Sequence, residues 1–246
     1  MNKYNASLFI SIVCLVLIQL TSCKTETKTE AVGQIDGPYF ATGVKVGEVS
    51  QDKVIIWTRL TKSIQRIGSD TSQPNIFYKH PETGEWSKKN NNRLDMETKA
   101  EYPEGYSVKN IEGACPGMDG EVKIRYARKG EELKETPWQK VDPSGDYTSQ
   151  FSLDGLASGV EYSFEAQARQ TGSEQISAGI KGTFKTAPKA DQIKPVTFTV
   201  TTGTAYNDLD SAGFGFKIYG QMLKLNPDFF VHTGDILYYD RQGKTK

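Results

Sequence analysis

The sequence predicts a mainly β chain: a sandwich of short strands up to Pro188, then the start of an α/β segment. Three observations carry this reading. In Tyr162-Ser163-Phe164-Glu165-Ala166-Gln167-Ala168 the apolar residues fall on alternate positions, so one face packs and the other meets water. Runs of this kind are separated by turn clusters such as Asp142-Pro143-Ser144-Gly145, in a chain with 23 Gly and 10 Pro. After Pro188 the period changes, and a strand, a helix and a second strand succeed one another.

The amino-terminal element is a leader. Lys3 supplies a positive charge, and an apolar run extends from Leu8 to Leu20, with Ser11 and Gln19 its clearly polar interruptions. A charged region, an apolar region and small residues in that order make a secretory signal. The run is shorter than the roughly 20 apolar residues that a spanning helix needs. It closes on Leu20-Thr21-Ser22-Cys23, which resembles the bacterial lipobox, so residues 1–22 are expected to be removed and Cys23 to carry a lipid. Residues 23–36 are polar and without periodicity, as a flexible tether would be. Lys24 stands where an Asp is associated with inner-membrane retention, so the expected location is the cell envelope, on the outer membrane, with the membrane itself as partner.

Residues 37–188 are expected to form the sandwich. Gly43 to Val49 alternates, a polar turn Ser50-Gln51-Asp52-Lys53 comes next, and Val54-Ile55-Ile56-Trp57-Thr58-Arg59-Leu60 has the composition of a buried strand, with Trp57 placed in the core. Further strands are expected at Glu121–Ala127, Tyr147–Leu153, Val160–Arg169 and Ile180–Thr186. Leu153-Asp154-Gly155-Leu156, with Gly159-Val160-Glu161-Tyr162 after it, resembles the fibronectin type III pattern within the Ig-like sandwiches, where a Leu enters the core and a Tyr pins the corner with its hydroxyl. Between these strands, residues 61–117 read as a long insertion. Its aromatics Phe77, Tyr78, Trp86, Tyr102 and Tyr106 suit a second hydrophobic cluster, or a ligand surface.

From residue 189 the texture is α/β. Val196 to Val200 is a strand; Phe214, Ile218, Met222 and Leu225 recur at helical spacing; Asn226-Pro227 stops the helix, and Asp228 to Val231 begins another strand. The unit should lay its strands parallel. Two strands and one helix cannot enclose a core of their own, so residues 189–246 are expected to be part of a larger domain. Ligands in open α/β sheets bind outside the carboxyl ends of strands. There stands His232-Thr233-Gly234-Asp235-Ile236-Leu237-Tyr238-Tyr239. A Gly lets the backbone turn, an Asp after it can bridge two metal ions, and a phenolate three residues on can reach one of them.

Four blocks in this order are similar to the PhoD-like alkaline phosphatase and phosphodiesterase family: Phe40-Ala41-Thr42-Gly43-Val44, Val54 to Leu60, Phe184-Lys185-Thr186-Ala187-Pro188, and Pro227 to Tyr238. The resemblance implies a fibronectin-like sandwich in front of a calcineurin-like metallophosphoesterase domain that is incomplete here. It implies hydrolysis of phosphate esters at an iron and calcium site, where metals polarise the phosphoryl group and activate water. It also implies that Asp235 is the bridging carboxylate and Tyr238 a ferric ligand, the alternative for Tyr238 being simple packing. The sequence departs from the family at Gly203, where a Cys usually binds iron; Asp208 and Asp210 could substitute, but before a helix they suit capping. Only His80 and His232 are present, and His232 alternates away from the strand end, so little turnover is expected from this chain alone.

Lys plus Arg and Asp plus Glu balance at 30 each, which gives no field for nucleic acid. Cys115 has no partner once Cys14 leaves and Cys23 is lipidated. The competing reading is a lipid-anchored binding module whose sandwich grips a ligand while the α/β stub is vestigial. In a bacterial host the wild type should partition into detergent and Cys23→Ser should not; equal membrane association of the two would point to an uncleaved anchor.

Overall fold

The computed structural model describes residues 36–68, 71–88, 96–205, 208–211 and 215–236. Cys23, the leader and most of the tether lie outside the described residues, as does Tyr238. Among the described residues thirteen strands and one α-helix are formed: β1 (Lys45–Gly47), β2 (Lys53–Arg59), β3 (Asn75–Lys79), β4 (Trp86–Ser87), β5 (Thr98–Glu101), β6 (Glu121–Arg128), β7 (Lys134–Glu135), β8 (Gln139–Lys140), β9 (Thr148–Asp154), β10 (Glu161–Arg169), β11 (Ile176–Lys185), β12 (Phe198–Thr201), α1 (Lys217–Lys224) and β13 (Phe229–His232).

Two antiparallel sheets make the sandwich. One has the order β1-β2-β9; the other runs β11-β10-β6-β7, with β8 also on β6. Each contributes its alternate residues to one core: Val54, Ile56 and Leu60 with Phe151 and Leu153 from the first sheet, and Val122, Ile124, Tyr162, Phe164, Ala166, Ala168 and Phe184 from the second. Burial along β9 and β10 switches at every residue, as a period of two requires. The β2 register places Trp57 on the opposite face from Val54, Ile56 and Thr58, and Trp57 is only half buried, which corrects its expected place in the core. An apolar run reads the same from either side; only the partner sheet decides which side is inward.

The corner before β10 is pinned as the pattern implies. Leu153 and Leu156 are buried, Tyr162 stacks on Phe184 at 5.3 Å, and its hydroxyl accepts a hydrogen bond of 2.8 Å from the Ala157 N–H. Thr186 completes the joint. Exposed by only 1%, it donates from its hydroxyl to the Ala157 carbonyl at 2.7 Å and accepts there from the Val160 N–H at 3.0 Å.

The insertion leaves and returns at one neck, where Thr61 pairs with both Tyr39 and Gly117. A side chain at Gly117 would collide with the Tyr147 ring, so that crossing needs glycine. Arg59 braces the neck: Nε and Nη2 donate to the two carboxylate oxygens of Asp146 at 2.8 and 2.9 Å, and Nη1 donates to the Cys115 carbonyl at 2.9 Å. Within the insertion, β4-β3-β5 form a small sheet. Tyr78 is buried, whereas Phe77 and Trp86 sit half buried beneath the ammonium groups of Lys79, Lys88 and Lys99, and Tyr102 and Tyr106 are exposed. The expected apolar cluster is thus largely a lysine and aromatic one, because three thin strands offer little interior.

β12 and β13 lie parallel, with Phe198 opposite Phe229 and Thr201 opposite His232. α1 meets one face through Tyr219, whose ring stands edge-on to Phe230 at 5.9 Å. Ile218 and Leu225, expected on the packed stripe, remain 49% and 64% exposed, since a two-stranded sheet is too narrow to cover both sides of a helix. Asn226 ends the helix in a left-handed conformation, φ 48°. Among the described residues no helix is long and apolar enough to cross a membrane.

Two measurements check these placements. Ile56→Ala should cost about 2–5 kcal/mol of stability in urea unfolding, as for a buried aliphatic residue, and Trp57→Ala clearly less, about 1–2 kcal/mol. The Arg59 hydrogen bonds, with its charge, hold the Asp146 carboxyl below its ordinary value against the opposing effect of burial. A lowered carboxyl stabilises the fold above the ordinary carboxylate range and loses that contribution as pH falls through its folded value. Asp146→Asn, which tolerates the φ of 54°, should therefore lie below wild type at neutral pH by on the order of 0.5–1 kcal/mol, given how exposed Asp146 is, and the gap should close as pH falls below the ordinary carboxylate range.

Candidate functional site

The carboxyl ends of β12 and β13 run into two loops that are hydrogen-bonded to each other. The Gly203 N–H donates to the Gly234 carbonyl at 3.3 Å, and the Thr204 N–H to the Asp235 carbonyl at 2.8 Å. The Thr202 hydroxyl adds a bond of 3.1 Å to the Gly234 carbonyl, and the Thr233 N–H donates to the Thr201 carbonyl at 2.9 Å. Gly234 has φ 128°, a value an L side chain rarely adopts, and Asp235 comes next at φ 56°. Asp tolerates that left-handed region better than most residues. The turn thus places an exposed Asp235 just outside the sheet, where open α/β folds bind ligands.

Behind it lies a polar chain. Thr204 Oγ1 is 2.9 Å from Tyr219 Oη on α1 and 2.9 Å from His232 Nε2 at the end of β13. His232 Nδ1 accepts from the Gly234 N–H at 3.3 Å. His232 therefore points towards the helix side and supports the turn from within, in keeping with its alternation in the strand. Thr204 and Tyr219 carry no motif, and no spacing singles them out. Their only signal is that a histidine facing a helix needs polar partners there.

Asp210 and His80 serve local structure. Asp210 Oδ2 accepts from the Lys217 N–H at 2.9 Å and so caps α1. His80 Nδ1 accepts from the N–H groups of Glu82 and Thr83 in its own turn within the insertion. Gly203, at the position where the resembling family has a metal-binding Cys, supplies only backbone. A metal centre needs several donors held together. Among the described residues no group of three or more His, Cys, Asp or Glu side chains converges, so by themselves they do not make the iron and calcium centre that the resemblance implies.

With this geometry in place, comparison with known proteins is decisive for the family. Residues 25–188 match the family model described as PhoD-like phosphatase, N-terminal domain. The chain belongs to the PhoD-like phosphatase family. A solved structure of PhoD is similar over 82% of this chain, at 20% identity and a TM-score of 0.50, which supports the fold. The chain spans 28% of the length of that PhoD chain. A redesigned β-sandwich protein matches at 12% identity over 60% of this chain and 93% of its own, with a TM-score of 0.29. A two-domain fibronectin type III segment from chicken tenascin matches at 15% identity over 58% of this chain and 98% of its own, with a TM-score of 0.23. No curated protein gives a match. The PhoD-like family is one of metal-dependent hydrolases, and this chain carries its N-terminal domain together with a β-α-β segment.

Proposed function

We propose that this chain is the N-terminal portion of an exported, lipid-anchored phosphoesterase, held at the outer membrane through Cys23 and acting on phosphate esters in the cell envelope. The observation that carries the reading is the Gly234-Asp235 turn at the carboxyl end of a parallel strand pair, in a chain whose preceding sandwich matches the PhoD-like N-terminal domain. Asp235 offers one carboxylate to a metal centre in the complete protein, and Tyr238, three residues on in the sequence, offers a phenolate. Iron and calcium are the proposed ions. Among the described residues no group of three or more His, Cys, Asp or Glu side chains gathers, and this portion alone is proposed to be inactive.

The division of labour comes from the fold. The sandwich holds the joint at Thr186, and the paired loops fix the backbone on either side of Asp235. A lone carboxylate competes poorly with water for a hard cation, and affinity rises only when several ligands are preorganised. The 246-residue chain should therefore bind iron and calcium weakly and hydrolyse p-nitrophenyl phosphate no faster than background. In the complete protein Asp235→Asn should abolish hydrolysis while the unfolding midpoint is little changed. Full activity in that variant would refute the assignment of Asp235. Tyr238→Phe should remove any tyrosinate-to-iron absorption; unchanged colour and activity would mean that Tyr238 only packs.

A further inference from the structure

The bonds around His232 have a direction. The Gly234 main-chain N–H can only donate, so His232 Nδ1, 3.3 Å away, must accept and cannot carry the proton of the neutral ring. That proton is on Nε2, which then donates to Thr204 Oγ1 at 2.9 Å, and the Thr204 and Tyr219 hydroxyls, 2.9 Å apart, share a further hydrogen bond that either can donate. The main chain of Thr204 meanwhile donates to the Asp235 carbonyl at 2.8 Å. One threonine and one imidazole thus grip the Gly234-Asp235 turn from both sides. In this turn Asp235 follows Gly234 into a left-handed φ of 56°, which a residue with a side chain keeps only where its surroundings hold it.

We propose that His232 is a positioning residue, held as its Nε2–H tautomer by Thr204 and Tyr219, and that its Nδ1 fixes the turn which aims Asp235 out of the strand end. The chain Gly234 N–H, His232, Thr204, Tyr219 links the strand end to α1, so the helix sets the ring and the ring sets the turn. The proposal rests on the reading of Asp235 as a ligand only for its functional consequence. The geometry it predicts is a property of the chain without metal or substrate.

The test uses the full chain, labelled with ¹⁵N. Long-range ¹H–¹⁵N spectra of the neutral His232 ring should show a single tautomer, with Nε2 protonated and Nδ1 bare; in Thr204→Val, which keeps the shape and removes the hydroxyl, the ring should become a mixture. The Gly234 amide should exchange with deuterium roughly tenfold faster in His232→Ala. His232→Asn, whose Oδ1 stands near the place of Nδ1, should restore most of the protection. A proton on Nδ1 in the wild type overturns the proposal, as does unchanged Gly234 exchange in His232→Ala. Should the alanine variant lose the β10 amides as well, and so be unfolded, the wild-type tautomer and Thr204→Val decide alone. None of these signals requires metal or phosphate ester, so a failure here leaves the phosphoesterase reading standing, and inactivity of the complete protein leaves the tautomer result standing.

Discussion

A hydroxyl taken out of water has to find partners inside the protein, and at Thr186 that requirement ties the sandwich to everything after it. The side chain is 1% exposed and bonds to Ala157 and Val160, on the two sides of the corner whose other pin is the Tyr162 hydroxyl. Main-chain bonds from Gly159 to Ala187 and from Ala187 to Ser50 close the same joint. The chain that leaves the sandwich therefore leaves at a fixed point. Its direction is set by hydrogen bonds that would each be left unmatched in a buried place if it turned elsewhere.

The sandwich was legible because its signal is local and repeated. Alternation at a period of two marks β9, β10 and the middle of β2, and the Leu-Asp-Gly-Leu to Tyr162 spacing implies a corner that the Tyr162 hydroxyl indeed closes. What spacing could not give was parity. Trp57 sits among apolar neighbours in the chain, yet β9 and the second sheet decide which of those neighbours turn inward, and that is a long-range fact. The insertion shows the same limit differently. Its aromatics are visible as a set, but their division into one buried Tyr78, two rings under lysine and two exposed tyrosines depends on a register between β3, β4 and β5 that no local pattern encodes.

At the strand end the balance is reversed. Asp235 was legible as a candidate because Gly-Asp after an apolar run is a local signature, and the structure gives that turn its φ values. The assembly behind it was not legible, since Tyr219 and His232 lie 15 and 28 residues from Thr204 and meet it only through the β-α-β crossing. Asp210 illustrates the opposite hazard. Carboxylates near a site attract a ligand reading, but the first turn of a helix carries unsatisfied N–H groups, and Asp210 is committed to one of them.

The packing of the α/β segment is the last constraint. Parallel strands are ordinarily covered on both faces, and here α1 reaches the side bearing Phe230 and His232 through Tyr219 but leaves Phe230 47% exposed. On the other side Phe198 and Phe229 stack on each other at 5.1 Å and, with Val200, stay about half exposed. A pair of stacked rings removes only part of its own area from water, so burial contributes little to this sheet at about 25 cal/mol per Å². Backbone bonds between the two loops, the cap at Asp210 and the chain through His232 are left to order the strand end. Polar bonds of that kind fix directions more than they add stability. Here they set the angle of the Gly234-Asp235 turn, beside an apolar face that stays about half exposed.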